Sequence, residues 1–462
     1  MIKPTIFREY DIRGIADEDL VDENVLLLGK GIGTFLRREG AKNMVIGRDV
    51  RLSSQRIRDA LVKGLLSTGM NVIDIGLVLT PVQYFGIVHF QADGGVMITG
   101  SHNPIEYNGL KISKKDVTPV YGEQIQAIKR IIMQENYDIG SGEVVEKPVM
   151  DEYIAMLKSK LTFQKKLKVV IDAGNGTAGL LMPQLWQELG CEVACLYCEP
   201  DGRFPNHLPD PTVPKYVVDL QKMVLEVGAD VGIGYDGDSD RIGAIDDKGR
   251  IIFADKLLAI LSREVLQRHP ESEIVFDVKC SQALAEEIEK AGGKPLMWKT
   301  GHSLLKAKMK EIHAPLAGEM SGHIFYADDY FGFDDAIYVS GRLLQMLSNS
   351  RQKLSEIADE IPHFESTPEI RIETTDEDKF KIVQALADHF KKRYDAIDID
   401  GARVLFGDGW GLVRASNTQP VLVLRFEAKN RERLNEIIDI FKTQLKKYPA
   451  VKFSDADFEV AS

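Results

Sequence analysis

The sequence predicts an α/β protein in which three related α/β domains with mixed, mainly parallel sheets and a C-terminal α+β domain surround one central cleft. An internal repeat is the main observation: an apolar strand, a polar turn, a helical pattern and a second apolar strand follow one another three times. Each helix of the repeat ends near a glycine, at Gly69, Gly190 and Gly292. The residues after Pro368 lack the repeat and alternate strands with two helical patterns, which favours an antiparallel sheet.

The three repeats start with apolar strands that we predict at residues 43–49, 167–172 and 272–277. Each repeat later contains another apolar strand, which runs directly into a loop rich in polar side chains. Ligands of such sheets gather at the carboxyl ends of the strands. We therefore expect the three loops to share one cleft rather than to form three separate sites.

Changes in composition indicate the domain boundaries. The glycine-rich stretch 140–142 and the residues up to Pro148 are typical of a linker, and a hairpin-type turn at 246–249 lies near the second boundary. The predicted domains are residues 1–148, 149–250, 251–366 and 367–462. In the last domain the patterns predict helices at 379–394 and 431–447 and strands at 402–406, 410–414 and 421–428.

Composition and charge exclude several classes of function. The 462 residues carry a net charge of −12, which argues against a general nucleic-acid surface because such a surface is basic. A local cluster of cations can still bind an anionic substrate. We find neither a signal-peptide pattern nor an apolar stretch of roughly 18 residues, so we expect no membrane segment. The pattern does not define the oligomeric state, and we expect a monomer.

Three of the four cysteines, Cys191, Cys195 and Cys198, lie close together and raise the alternative of a zinc site. They fall in a predicted strand, and Cys280 is far away in the sequence, so we interpret them as small buried apolar side chains. Four cysteines in so long a chain are no disulfide framework. We therefore expect a cytoplasmic protein.

The loop at residues 99–104 is the first candidate site. Residues 95–98 predict a buried strand, and the Asn103-Pro104 pair ends it in a turn. Ser101 is thereby presented on a tight loop whose outward N–H groups suit an oxygen nucleophile or a bound phosphate. A serine that only caps a turn is the alternative at this point.

Asp236, Asp238 and Asp240 alternate with small residues after another apolar strand. Carboxylates this close repel one another unless a cation neutralises them, and oxygen ligands favour Mg²⁺ over zinc or copper. An EF-hand is excluded because Arg241 occupies the position of its glycine and Asp247 that of its bidentate glutamate. An acidic surface turn is the alternative, but Arg241 is placed to hold a phosphate beside a metal.

A loop of the last domain, residues 411–420, combines the guanidinium of Arg414 with hydroxyl and amide side chains that suit phosphate oxygens. An ordinary hairpin would also use serine, asparagine and proline, and the arginine favours phosphate binding.

A competing pattern, G-x-G-x-x-G, follows the strand at 167–172, with Glu199 about twenty residues further on. A dinucleotide-dependent oxidoreductase is therefore a second hypothesis. A close strand-to-helix turn needs the same glycines for packing alone. The oxidoreductase hypothesis also leaves the aspartate cluster and the Ser101 loop without a function.

The four polar loops, in this order and over nearly the whole chain, resemble the α-D-phosphohexomutase family. Residues 99–104 resemble its phosphoserine loop, and 236–241 its Mg²⁺ loop. Residues 318–323 are similar to its sugar-recognition loop and 414–420 to its phosphate-binding loop. The ordered set is more specific than any single loop.

The resemblance implies roles for individual residues. Ser101 would carry the phosphoryl group and bind Mg²⁺ together with the three aspartates. Lys111 and His323 would transfer protons, helped by a crowded cationic site that lowers the pKa of Lys111. Arg13 and Arg241 would stabilise transferred charge. The residues implied in substrate binding are Tyr10, Arg13, Lys279, His302, Glu319, Ser321, His323, Arg414, Ser416, Asn417 and Thr418.

The implied reaction moves phosphate between O1 and O6 of an aldohexose. Its cofactor would be Mg²⁺, and glucose or mannose 1,6-bisphosphate would be intermediate and activator. We expect the last domain to close over the substrate. The Met320 form of the sugar loop points to mannose and glucose phosphates. A non-catalytic sugar-phosphate-binding protein is a third hypothesis, which the intact nucleophile, metal and proton-transfer positions disfavour.

Overall fold

The structure is a computed structural model that describes residues 2–417 and 419–458. Its strands form four sheets that follow one another along the chain. The first three are mixed sheets with parallel central pairs, and the fourth is antiparallel, which confirms the predicted fold class. Within the described residues, no helix is both long and apolar enough to cross a membrane.

The first domain is a six-stranded sheet covered by helices. Its strands are β1 (Ile12–Ile15), β2 (Asn43–Arg48), β3 (Asn71–Leu77), β4 (Gly94–Ile98), β5 (Tyr107–Lys114) and β6 (Val144–Glu146). Its helices are α1 (Asp22–Arg38), α2 (Ser54–Leu66), α3 (Thr80–His89) and α4 (Glu123–Met133). The sheet order is β1-β5-β4-β2-β3-β6. All five residues of β4 are buried, and this strand leads into the Ser101 loop.

The stretch predicted as a linker contains β6, which pairs in parallel with β3 at the edge of the first sheet. The linker prediction is wrong for these residues. All three side chains of β6 are exposed, so no apolar face marks the strand in the sequence.

The second domain has a five-stranded sheet in which β9 delivers the aspartate cluster. Its strands are β7 (Lys168–Asp172), β8 (Glu192–Leu196), β9 (Val231–Tyr235), β10 (Ile242–Asp246) and β11 (Ile251–Ile252), and its helices are α5 (Met150–Lys160), α6 (Met182–Glu188) and α7 (Val218–Val227). The order is β11-β10-β9-β7-β8, with β7 parallel to both of its neighbours.

The third domain repeats this plan with four strands. These are β12 (Glu273–Asp277), β13 (Lys294–Trp298), β14 (Leu316–Gly318) and β15 (Ile324–Tyr326), with helices α8 (Ala254–Arg268), α9 (Gln282–Lys290), α10 (His302–Ile312), α11 (Ala336–Asn349) and α12 (Leu354–Asp359). The order is β13-β12-β14-β15, and the β14–β15 hairpin carries the loop at residues 319–323.

The fourth domain is an antiparallel sheet with two long helices. Its strands are β16 (Glu365–Ser366), β17 (Ile370–Glu373), β18 (Ala396–Ile397), β19 (Ala402–Leu405), β20 (Gly409–Ala415) and β21 (Val421–Ala428), and the helices are α13 (Lys379–Lys391) and α14 (Arg431–Leu445). Of the predicted phosphate-binding residues, Arg414 lies near the end of β20, and Ser416 and Asn417 lie in the loop between β20 and β21.

The glycines that follow α2, α6 and α9 explain how each repeat turns into its second strand. Gly69, Gly190 and Gly292 have φ angles of +86°, +97° and +81°. L side chains rarely adopt this conformation, so glycine ends the helix there at the least cost.

The cysteines behave in two ways. Cys191 is buried, as predicted, and Cys280, which that prediction did not include, is buried as well. Cys195 is exposed and forms a disulfide with Cys198. The interpretation of Cys195 as a buried apolar side chain is wrong because β8 is an edge strand with one side open to solvent.

Candidate active site

The Ser101 loop and the aspartate loop meet at the carboxyl ends of β4 and β9. Ser101 is 2% exposed, and its Oγ donates a hydrogen bond of 2.7 Å to Oδ2 of Asp236. The same Oγ lies 3.1 Å from Nδ1 of His102. Ser101 has a φ of +50°, which turns the chain sharply after the strand and faces the hydroxyl towards the second domain. The predicted nucleophile and the predicted metal ligands are therefore neighbours.

The three aspartates form one buried group. Their carboxylate oxygens lie within 4.8 Å of one another, and each residue is fully buried. The Nζ of Lys111 donates to Oδ2 of Asp238 at 2.7 Å and also to Asp240. The hydroxyl of Thr80 donates to Asp238 at 2.6 Å. Together with Ser101, domain 1 thus supplies one cation and two hydroxyls to a carboxylate cluster of domain 2.

This group has the donor chemistry of a magnesium site. Oδ1 of Asp238 and Oδ1 of Asp240 are buried, and within the described part of the chain neither accepts a hydrogen bond. Burial, followed by the charges of Asp238 and Asp240, raises the pKa of Asp236 well above its ordinary value. A bound cation would relieve both penalties, and oxygen donors match Mg²⁺.

The expectation that Lys111 has a lowered pKa is wrong in this arrangement. Burial acts to lower the pKa of the ammonium, but the charges of Asp238, Asp240 and Asp236 outweigh it and raise the pKa above its ordinary value. The neighbours of Lys111 are carboxylates rather than cations. Lys111 is therefore protonated here, which suits a proton donor better than a base.

His323 joins the loop of the third domain to the aspartate cluster. Its Nε2 accepts a hydrogen bond of 3.0 Å from Nε of Arg241. Its Nδ1 lies 3.0 Å from Oδ2 of Asp334 and 3.6 Å from Oδ1 of Asp240. The ring of His302 stacks on it at 5.1 Å. Two sequence-predicted histidines are thus brought together with Arg241 on one side of the cluster.

The sugar-recognition loop is held in a fixed shape. Glu319 accepts hydrogen bonds from the backbone N–H of Gly301 at 2.5 Å and from the hydroxyl of Ser321 at 2.7 Å. Lys279 lies nearby in the third domain, where its Nζ contacts Oε2 of Glu369 at 3.1 Å. The Ser321 hydroxyl and the Glu319 carboxylate are already aligned as a donor and acceptor pair.

The fourth domain reaches the cleft through the loop after β20. Nε of Arg414 donates to Oδ2 of Asp400 at 2.9 Å, and Asp400 also accepts from the N–H of Thr300 at 2.9 Å. Asn417 donates to the hydroxyl of Tyr10 at 2.6 Å, and that hydroxyl donates to the carbonyl of Thr300 at 3.0 Å. The first, third and fourth domains meet at this point.

The remaining predicted residues are Arg13, Ser416 and Thr418. The guanidinium of Arg13 donates to Asn103 Oδ1 at 2.7 Å and to Asp11 at 2.5 Å, so it lies against the Ser101 loop. Oγ of Ser416 accepts from the N–H of Gln419 at 3.2 Å. Thr418 lies outside the described residues.

The G-x-G-x-x-G segment supports the aspartate loop. A Cβ on Gly176 would lie 2.9 Å from the carbonyl oxygen of Gly237, and one on Gly179 would lie 1.9 Å from that of Cys198. The N–H of Thr177 donates to the same Gly237 carbonyl at 3.0 Å. These glycines allow close packing inside the second domain, so the geometry gives the dinucleotide hypothesis no support.

Sequence reasoning missed several residues of the site. Asp334 is fully buried and faces His323, His302 and Lys306, whose Nζ lies 2.8 Å from it. Asp400 and Glu369 hold Arg414 and Lys279. None of the three follows a strand of the repeat, and each lies far in sequence from its partner or in an irregular segment. The sequence carries no local signal for them.

Comparisons with known proteins agree with this layout. Family models described as phosphoglucomutase/phosphomannomutase match all four parts of the chain: alpha/beta/alpha domains I, II and III at residues 4–138, 151–249 and 253–364, and the C-terminal domain at 369–444. A phosphomannomutase/phosphoglucomutase of Pseudomonas putida is 47% identical over 442 residues, covering 96% of this chain and 95% of the relative.

Two further similarities concern other organisms. A phosphoglucomutase of Neisseria gonorrhoeae is 40% identical over 449 residues, covering 96% of this chain and 97% of the relative. The crystal structure of a phosphoglucomutase/phosphomannomutase family protein from Burkholderia thailandensis superimposes with a TM-score of 0.91 at 39% identity, covering 98% of this chain and 100% of that one.

The matches cover all four domains in order and identify the α-D-phosphohexomutase class. The resemblance noted in the four loops is thereby confirmed. Within that class, the chain belongs to the phosphoglucomutase/phosphomannomutase family.

Proposed function

We propose that the protein is a phosphohexomutase that interconverts hexose 1-phosphate and hexose 6-phosphate, with mannose and glucose as its sugars. Family membership over the whole chain supports the class of reaction. The observation that carries the proposal is the contact between Ser101 Oγ and Asp236, which places a hydroxyl beside a buried oxygen-ligand cluster. Phosphoryl transfer depends chiefly on such placement and on charge stabilisation.

In the proposed cycle Ser101 carries a phosphoryl group. The bond from phosphorus to Ser101 Oγ breaks as phosphorus bonds to the free hydroxyl of the sugar monophosphate, and that hydroxyl gives its proton to a base. The 1,6-bisphosphate then turns in the cleft and returns its other phosphoryl group to Ser101. Lys111, protonated between two carboxylates, donates the proton that Ser101 Oγ needs when it leaves. His323, whose Nε2 accepts from Arg241, is the candidate base.

Asp236, Asp238, Asp240 and the serine oxygen would hold Mg²⁺, which when bound neutralises charge on the phosphoryl oxygens. Arg13 and Arg241 add positive charge from the two sides of the loop. Glu319 and Ser321 bind two hydroxyls of the sugar that remain usable in both orientations. Arg414 and the side chains of the loop after β20 bind the phosphate that is not reacting.

The experiment that tests the function follows the conversion of three sugar 1-phosphates by phosphorus NMR, with Mg²⁺ and a trace of glucose 1,6-bisphosphate. Mannose 1-phosphate and glucose 1-phosphate should give the 6-phosphates, with kcat/KM at least about 10-fold above that for glucosamine 1-phosphate. A protein that binds these sugars but forms no 6-phosphate would instead be the non-catalytic binding protein. Equal conversion of all three sugars would contradict the proposed sugar preference.

A further inference from the structure

Arg51 is a buried cation that none of the roles above uses. It lies in the turn after β2, is 3% exposed, and its hydrogen bonds and its ion pair join it to residues of the first domain. Nη1 donates to the carbonyl oxygens of Pro104 and Tyr107 at 2.7 and 2.9 Å. Nη2 donates to those of Ser101 and Asn103 at 2.9 and 2.5 Å. One guanidinium thus binds three carbonyl oxygens of the loop that carries the nucleophile and a fourth at the start of β5.

Neighbouring groups fix the guanidinium in turn. Asp49 lies 3.4 Å from Nε of Arg51 and accepts from the N–H of Gly100 at 3.2 Å, so it ties the arginine to the start of the loop. The ring of Phe204, from the second domain, lies 5.1 Å from the guanidinium carbon. A Cβ on Gly202 would lie only 2.7 Å from Cα of Arg51, so the second domain packs tightly onto this turn.

The arrangement has a consequence for charge. A carbonyl oxygen carries partial negative charge and would repel a phosphoryl group, and three of the four that bind Arg51 lie in this short loop. Each one that bonds to Arg51 is turned inward. Because the peptide unit is planar and trans, drawing in the carbonyl of Ser101 turns the N–H of His102 to the opposite side. An N–H that points outward favours an anion.

We propose that Arg51 is a positioning residue for phosphoryl transfer: it holds the carbonyl oxygens of the Ser101 loop away from the phosphoryl group and fixes the direction of Ser101 Oγ. This inference rests on the proposed function. It predicts a loss in kcat without a matching change in KM, because the described residues that Arg51 contacts belong neither to the sugar loop nor to the phosphate-binding loop.

The test compares Arg51→Lys with Arg56→Lys. Lysine keeps the charge but cannot form the forked set of four bonds. Arg56 is a matched control because it too donates to two carbonyl oxygens of the first domain, those of Leu20 and Ala16, at 2.8 and 3.1 Å. We expect Arg51→Lys to lower kcat about 10- to 100-fold with KM within about 3-fold of wild type, and Arg56→Lys to stay within about 2-fold in both.

A second variant, Phe204→Leu, keeps the guanidinium and removes its aromatic neighbour. It should lower kcat about 2- to 5-fold, again with little change in KM. Unchanged kcat in Arg51→Lys, equal losses in Arg51→Lys and Arg56→Lys, or a change confined to KM would each overturn the inference. Phosphorylation of Ser101 in the wild-type protein, measured in the same series by mass spectrometry, separates the two proposals. Its absence there would overturn the proposed function itself.

Discussion

The first three domains and the fourth domain contribute to one cleft but are held in different ways. One continuous core joins the first three and includes Val45, Trp186 and Phe276, in addition to smaller cores within single domains. Buried hydrogen bonds cross the same interfaces, from Thr80 to Asp238 and from Tyr153 to Asp335, at 2.6 and 2.7 Å. The serine, the carboxylates and His323 therefore sit on a scaffold in which movement would break apolar packing.

The fourth domain has a core of its own, built on its sheet and its two long helices. It meets the rest through polar contacts and a small apolar patch of Val278, Trp410 and Leu412. Arg403 donates to the carbonyls of Val278 and Cys280 at 2.8 and 2.6 Å. Replacing one such hydrogen bond by hydrogen bonds to water costs a net free energy of about 1 kcal/mol. The residues proposed for the chemistry thus lie on domains joined by a shared apolar core, and those proposed to bind the second phosphate lie on the domain held mainly by polar contacts.

The largest expected effect concerns the carboxylate cluster, which lies on the domains joined by the shared apolar core. Asp238→Asn removes one charge from the carboxylate cluster, so kcat should fall about 100- to 1,000-fold and half-maximal activation should need more Mg²⁺, with KM for the sugar phosphate within about 3-fold. Steady-state kinetics at graded Mg²⁺ concentrations measure both. Asp246→Asn, in the strand that follows the cluster, is the control because Asp246 instead accepts from Lys248 and Arg250. Equal losses of kcat in the two variants would contradict the account.

The next largest effect concerns Arg414 of the fourth domain. Arg414→Ala should raise KM about 10- to 100-fold and lower kcat by less than about 5-fold, because Arg414 is proposed to bind the phosphate that is not reacting. Initial rates over a wide range of substrate concentration separate the two parameters. Arg433→Ala, in the same domain but paired with Asp408 and Glu436, should leave both unchanged. An unchanged KM in Arg414→Ala would show that this residue does not bind that phosphate.

A smaller effect concerns the attachment of the fourth domain. Arg403→Met keeps a long apolar side chain on Trp410 but removes the bonds to Val278 and Cys280, so cleavage by a protease in residues 364–369 should become about 3- to 10-fold faster. Lys391→Met, which removes only an ion pair to Asp398 within the domain, is the control. Cleavage at the wild-type rate in Arg403→Met would show that polar contacts do not hold the domain.

The smallest expected effect concerns the ion pair between Lys279 and Glu369, which links the third and fourth domains and depends on pH. Burial acts to raise the pKa of Glu369, but Lys279 and Arg371 outweigh it and lower the pKa to about 2 from its ordinary value of 4.5. The pair with Lys279 therefore stabilises the fold above about pH 4.5 and loses its effect as the pH falls towards 2. The free energy of unfolding in urea should be about 1 kcal/mol lower for Glu369→Gln at pH 6, and the difference should shrink towards pH 3. A difference that grows as the pH falls would have the wrong sign.

Much of the fold is readable from the sequence because the repeat has clear physical marks. Strands such as β4 are apolar throughout, and glycines with positive φ follow the helices. The pattern does not reveal the edge strand β6, because all of its side chains are exposed. It does predict the edge strand β8, but not that Cys195 on this strand is open to solvent. The fully buried strands and the glycine turns are thus the elements that pattern alone fixes.

The four site loops are readable because each follows a strand and concentrates polar residues. Asp334, Asp400 and Arg51 are not, because their function lies in contacts across 11 to 100 residues that only the fold creates. The pKa of Lys111 illustrates the same limit. Its residue type and neighbours in sequence say nothing of the carboxylates that the second domain brings to it.

The central claim, that Ser101 carries the transferred phosphoryl group, is tested most directly by mass spectrometry of the peptide that contains it. After incubation with glucose 1,6-bisphosphate and Mg²⁺, we expect one phosphoryl group on Ser101. If that group carries an isotopic label, adding unlabelled mannose 1-phosphate should transfer the label to mannose 6-phosphate and leave an unlabelled phosphoryl group on Ser101. Ser101→Ala should carry none and lose more than about 1,000-fold in kcat while still binding sugar phosphate. Turnover without phosphorylation of Ser101, or wild-type kcat in the alanine variant, would contradict the account.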